Sequence, residues 1–208
     1  MSRIKDVKAQ RILDSRGSPT IEVTVYAGDI AASACAPSGA SVGRHEVQAF
    51  PKGGVDESIK MIELLSRALR GMNVDDQVAV DKAIREFDGT DNLSRIGGNA
   101  AIALSIAVAK AAAIIKGVPL CRYLSDQLEV PFPLSNIIGG GVHTKGESID
   151  FQEFLVLPVG ARSFSDAARV NVMVHREVSR ILAERLPGYV FGRNDEGAWA
   201  APLTIRDA

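Results

Sequence analysis

Residues 134–157 read LSNIIGGGVHTKGESIDFQEFLVL, two short apolar runs on either side of a glycine-rich polar centre. The runs at 134–138 and 151–157 are short and bounded by turn-forming residues, so they read as buried strands. Between them Gly139, Gly140 and Gly141 stand just before His143. Such a run lets backbone come close to a ligand and would leave the imidazole near the top of a strand. Glu153 sits among Phe151, Phe154, Leu155, Val156 and Leu157. In a buried strand that carboxylate needs a partner, whereas at a strand end it reaches water, and the sequence leaves both readings open. Gln152 beside it is a buried amide or a site residue on the same terms.

Downstream, Ser163 with Asp166 three residues on predicts a capped helix. Val170, Val174, Val178, Ile181 and Leu182 give it an apolar face until Pro187-Gly188 ends it. Residues 189–191 read as one more strand, after which Asp195, Glu196 and Gly197 form either a solvated turn or a carboxylate pair of the kind barrel enzymes carry at strand ends. Upstream, Pro131 and Pro133 bracket a linker and set a domain boundary, dividing the chain into 1–130 and 131–208.

The first part begins with a hairpin. Ile21, Val23 and Val25 alternate with Glu22, Thr24 and Tyr26, Gly28-Asp29 makes the turn, and residues 30–36 form the return strand. Residues 37–54 read as a long exposed loop containing Arg44, His45 and Glu46. Amphipathic helices follow, one through Ile59, Ile62, Leu65 and Leu69 and one through Val80, Ile84 and Phe87 after Asp75-Asp76. Asn99 is placed to cap an alanine-rich helix that runs to about Lys116, and a short helix is expected around Tyr123 and Leu124.

The 208 residues are 46% hydrophobic and 24% charged, ordinary values for a chain that buries a core. Lys and Arg total 24 against 25 Asp and Glu, a net charge of −1, which offers no basic field for nucleic acid. No signal-peptide pattern opens the chain, and Cys35 and Cys121 make no disulfide framework, so a cytoplasmic protein is expected. The apolar stretch 100–115 contains Lys110 and reads as a buried helix rather than a membrane span. The segment 38–43 lacks the Gly-Lys-Ser or Gly-Lys-Thr ending of a P-loop, Ser41 has no base beside it in sequence, and the histidines show no zinc-binding spacing.

Taken in order, Asp14-Ser15-Arg16-Gly17, Pro19-Thr20-Ile21-Glu22-Val23, the segment 37–41, the segment 107–113 and the segment 150–160 resemble enolase across essentially the whole chain. The resemblance implies an α+β capping domain with a three-stranded antiparallel sheet and helices, followed by the first part of an α/β enolase-type barrel. It implies dehydration of 2-phosphoglycerate to phosphoenolpyruvate, with Mg²⁺ as cofactor and a phosphorylated hydroxy acid as substrate. In that pattern Ser41 matches the mobile-loop serine that ligates the second Mg²⁺, and His143 matches the histidine of the second mobile loop. Gln152 and Glu153 match residues that face substrate, and Glu196 matches the acid that helps the 3-hydroxyl leave. Arg16 and Glu22 are similar to the segment that reaches across the family's dimer interface.

The family's base lysine and its three carboxylate Mg²⁺ ligands belong to later barrel strands, and a barrel of eight strands takes roughly 250 residues. Residues 131–208 supply only its beginning. The resemblance therefore implies a chain inactive until a second, C-terminal half completes it, in a homo-oligomer or a complex of two chains. The alternative is an enolase-derived binding or scaffold protein without catalysis. The chain also departs from the family pattern at Gly141, Val42, Ala198, Trp199 and Ala201, and Arg193-Asn194 precede Asp195 where the family usually has a glycine.

Overall fold

A computed structural model describes residues 2–39, 42–141, 144, 148–188 and 190–208. They form two compact units, one through Leu128 and one from Glu129.

The first unit is a three-stranded antiparallel meander covered by helices. Strands β1 (Ile4–Leu13), β2 (Pro19–Ala27) and β3 (Ile30–Ala36) are followed by helices α1 (Gly54–Leu69), α2 (Gln77–Asp88), α3 (Gly98–Ile115) and α4 (Leu120–Leu124). The alternation of β2 is real: Ile21, Val23 and Val25 are fully buried, while Glu22, Thr24 and Tyr26 lie on the other face. There Gln10 Nε2 donates to Glu22 at 2.6 Å and the Thr24 and Ser33 hydroxyls share a hydrogen bond at 2.7 Å. Period-2 reading misses β1 because a register irregularity between Ile4 and Asp6 breaks its alternation.

Helix α1 sinks Ile62, Leu65 and Leu69, and α2 sinks Val80 and Ile84, into the same core as the inward face of the sheet. Burying each such side chain contributes about 1.5–3 kcal/mol. Asp76 caps α2 by accepting from the Ala79 N–H at 3.0 Å, and Gly89 closes it in the left-handed region. The last residue of α2, the 2% exposed Asp88, accepts through its carboxylate from Thr90, Arg95 and Ile96, which ties the turn into α3.

Helix α3 buries Ala100, Ala103, Leu104, Ala107, Val108 and Ala111, packing on β2 and β3. It is long and apolar enough to cross a membrane by length and composition, and 61% of it is buried within the protein. Asn99 is not its cap. The first turn begins one residue earlier, and its free N–H groups are met by backbone: Gly98 N donates to Gln48 O at 2.7 Å and Asn99 N to Ala49 O at 3.1 Å. A Cβ on Gly97 would lie 2.7 Å from the Ala49 carbonyl oxygen, so glycine lets the loop come this close. The Asn99 side chain is thereby free to donate to Ala36 O and Ser38 Oγ.

The second unit is built on β4 (Ser135–Gly139), β5 (Glu153–Val156), helix α5 (Phe164–Arg185) and the short pair β6 (Gly192–Arg193) and β7 (Trp199–Ala200). Sheet order is β5-β4-β7-β6, with β4 and β7 parallel and the other neighbours antiparallel. Ser163 caps α5, accepting from the Asp166 N–H at 3.1 Å. The helix packs Val174, Val178 and Leu182 against Ile137, Ile138, Phe154 and Trp199. Asn171, buried on that face, donates to Pro133 O.

Two strand readings change. β5 is not a buried strand: among the described residues it lies at the sheet edge, Glu153 is exposed and Leu155 is 44% exposed. Its apolar residues gave a core-like signal because sequence cannot show which side of a sheet lacks a neighbour. The strand expected at 189–191 falls instead at Gly192–Arg193, since its pairing partner is Trp199–Ala200, and Tyr189 lies outside the described residues.

Candidate active site

The functional candidates of the second unit cluster around β4. Gly139 closes that strand and pairs with Glu153 at the start of β5. Glu153 reaches water, so burial asks no partner of it, and Gln152 Nε2 donates to it at a long 3.4 Å. Gln152 is also exposed. Ser41 and His143 lie outside the described residues.

Gly139 and Gly140 of the glycine run serve close packing. A Cβ on Gly139 would press into the Asn194 carboxamide, 3.0 Å from Cγ and closer still to Nδ2. One on Gly140 would overlap the carbonyl oxygens of Ile149 and Phe151. Only glycine gives the Asn194 side chain and the backbone before β5 room against the end of β4.

Glu196 lies in the turn that joins β6 to β7. Asn194 frames this turn: its Oδ1 accepts from the N–H groups of Glu196 and Ala198, each at 3.0 Å, and its own N–H donates to Ala198 O. The Glu196 carboxylate accepts from Asn136 Nδ2, on β4, at 2.8 Å. Glu153 and Glu196 thus come from opposite sides of β4, one by strand pairing and one by a side-chain hydrogen bond.

Next to this turn Trp199 is held on every side. His175 stacks on it with ring centroids 4.8 Å apart, Arg193 lies over it at 4.7 Å, and Phe191 meets it edge-on at 5.6 Å. Its Nε1 donates to His175 O at 2.8 Å. A cleft of about 640 Å³ opens here, lined by Asn136, Asn171, His175, Arg176, Arg193 and Glu196 among others. The lining of this cleft carries one carboxylate and two guanidinium groups, residue types that can receive an anionic ligand and present an acid or base to it.

In the first unit, the loop that leads to Ser41 is anchored at its root. The Arg16 guanidinium donates to the Ser38 carbonyl oxygen and the Asn99 carboxamide to the Ser38 hydroxyl. Arg16 therefore has a partner within the chain, and Glu22 has one in Gln10. Among the described residues no three His, Cys, Asp or Glu side chains gather closely enough to hold a metal ion. The described residues do not make a Mg²⁺ site by themselves. Sequence reasoning took Asn99 for a helix cap and missed the roles of Asn136 and Asn194, because an asparagine carries no motif and its role appears only when two distant segments meet.

Comparison with known families follows this architecture segment by segment. Residues 4–124 match the family described as Enolase, N-terminal domain, and residues 127–207 match Enolase, C-terminal TIM barrel domain. The chain belongs to the enolase family. It is 45% identical over 210 residues to the enolase of Methanothermobacter thermautotrophicus, covering all of this chain and 50% of that protein. With the enolase of Archaeoglobus fulgidus it shares 49% identity over 207 residues, 99% of this chain and 50% of the other. Enolase B of Dictyostelium discoideum is 41% identical over 215 residues, 97% of this chain and 48% of that one. The enolase-family chain thus spans about half the length of the curated relatives it matches.

Proposed function

We propose that this chain contributes the capping domain and the first barrel strands to an enolase active site that dehydrates 2-phosphoglycerate to phosphoenolpyruvate in the cytoplasm. The observation that carries the reading is the collinear match of both enolase domains along the whole chain. The chemistry asks for removal of a weakly acidic proton beside a carboxylate and for an acid to help hydroxide leave. Glu196 is the acid, and Glu153 with Gln152 faces substrate from the start of β5, beside the end of β4. Arg176 and Arg193, which share the cleft with Glu196, favour an anionic substrate. His143 and Ser41 act from their loops, with the Ser41 loop held at its root by Arg16 and Asn99.

The family's cofactor is Mg²⁺, and the described residues gather no three His, Cys, Asp or Glu side chains to hold it. Under this reading the chain turns over substrate only together with the missing barrel strands. Arg16 and Glu22 lie at a subunit interface, and a C-terminal enolase half is the partner that supplies the base lysine and the metal carboxylates.

The test is complementation. The purified chain, the C-terminal half of the Archaeoglobus fulgidus relative, and the two together are each given 2-phosphoglycerate and Mg²⁺, and the ultraviolet absorbance of phosphoenolpyruvate is followed. Turnover only in the mixture is expected. A stable stoichiometric complex without turnover, or full turnover by the chain alone, refutes the proposal.

A further inference from the structure

We propose that Asn136 is a positioning residue for Glu196: it orients the acid's carboxylate from the neighbouring strand, while Asn194 fixes the turn that carries it. The inference rests on the reading of Glu196 as the acid, and it adds a residue that neither the motifs nor the chemistry of the reaction names.

Three observations converge. The Asn136 carboxamide donates to the Glu196 carboxylate at 2.8 Å across sixty residues of sequence, so the contact exists only because β4 and the β6–β7 turn are neighbours. Asn136 is fixed in its own right, paired with Leu155 just before the register irregularity of β4 and β5, and half-buried at the wall of the cleft. Asn194 holds the Glu196 backbone from the other end and has room to do so only because Gly139 lacks a side chain.

Glu196 is exposed, and a glutamate in the five-residue turn between β6 and β7 has three side-chain torsions to lose. A donor built into a paired strand removes that freedom before substrate arrives. An acid must deliver its proton to one oxygen in one geometry, so fixing the carboxylate acts on the transition state rather than on substrate affinity. The effect belongs in kcat.

The experiment has two arms. In the complemented enzyme of the preceding section, Asn136→Ala is expected to lower kcat about tenfold with KM within about twofold, the signature of an interaction realised only in the transition state. Leu155→Ala, which removes the cross-strand neighbour and leaves the carboxamide, lowers stability and keeps kcat. In the 208-residue chain alone, the side-chain amide pair of Asn136 is followed in ¹H–¹⁵N spectra. Glu196→Ala is expected to move that pair toward the position of solvent-exposed asparagines while the backbone signals of β4 stay in place. An unchanged kcat in Asn136→Ala, or an Asn136 amide pair indifferent to Glu196→Ala, overturns the proposal. A complemented enzyme that is silent even with the native chain overturns the lyase reading instead, and the amide spectrum then decides the pairing by itself.

Discussion

Gly139→Ala tests whether β4 and the acid-bearing turn share one space. The added Cβ would stand 3.0 Å from Asn194 Cγ, 3.3 Å from Ala198 Cβ and inside contact distance of Asn194 Nδ2. A free side chain would swing away, but Asn194 is tethered by the Glu196 and Ala198 N–H groups. Overpacking of this kind costs about 1–3 kcal/mol. Asn194→Gly alone removes two hydrogen bonds worth about 1 kcal/mol each and leaves the N–H of fully buried Ala198 without its acceptor, so about 2 kcal/mol is lost. If the sites were independent, the double variant would lose about 4 kcal/mol. Because the alanine then occupies the space the carboxamide vacates, the double variant is expected to lose only about 2 kcal/mol, a coupling of about 2 kcal/mol. Urea unfolding followed by fluorescence reads this directly, since the one tryptophan, Trp199, lies beside the turn. Additive losses in the double variant, or a Gly139→Ala protein within about 0.5 kcal/mol of the parent, would refute the reasoning.

Two further outcomes concern the first unit. Asp88→Ala strips the acceptor from the N–H groups of Thr90, Arg95 and Ile96, and a loss of about 3 kcal/mol is expected in urea unfolding followed by far-ultraviolet circular dichroism. A loss under about 1 kcal/mol would show that the turn finds other acceptors. Helix α4 buries none of its residues and is latched where Lys116 meets Asp75 at 2.7 Å and the Tyr123 hydroxyl donates to the same carboxylate. The hydrogen bond from Lys116 holds the Asp75 carboxyl below its ordinary range, so its stabilisation is present above about pH 4 and lost as pH falls through the depressed value. Burial, then the bond to Asp75, pushes the Tyr123 hydroxyl up, so that contribution is present below about pH 10 and lost as pH rises through the raised value. Tyr123 ring shifts should therefore be flat between these limits and move at each end. Lys116→Met should shift the acid limb toward the ordinary aspartate range, and an acid limb that stays in place would dismiss the latch.

What could be read from the sequence divides along physical lines. Helices α1, α2 and α5 were legible because their apolar residues recur at the helical period and each has a punctuating residue: Gly71 after α1, Asp76 and Gly89 around α2, Ser163 before α5. The β2–β3 hairpin was legible for the same kind of reason, since one face is buried and the other wet. β1 needed the family resemblance, because its irregular register hides the alternation. The apolar run around Glu153 misled, because burial of a strand depends on its neighbours and β5 has one only on the β4 side among the described residues. Asn99 misled in the opposite way: cap chemistry was in the right place, but the loop carbonyls of Gln48 and Ala49 took the helix end first. For the site, the residue types that carry charge were visible, and the asparagines that hold them were not. Their partners lie 60 residues away, or on the far side of a turn, and no local pattern encodes such a meeting.

The edge position of β5 gives Glu153 a second occupation. Backbone groups that are unpaired among the described residues and flanked by Phe151, Phe154 and Leu155 are a template onto which another copy could zip, and a charged side chain is the usual guard against that. Neutralising Glu153 to probe chemistry would disarm the guard as well. Light scattering must accompany any kinetic comparison at this position, or clumping will be mistaken for lost reactivity.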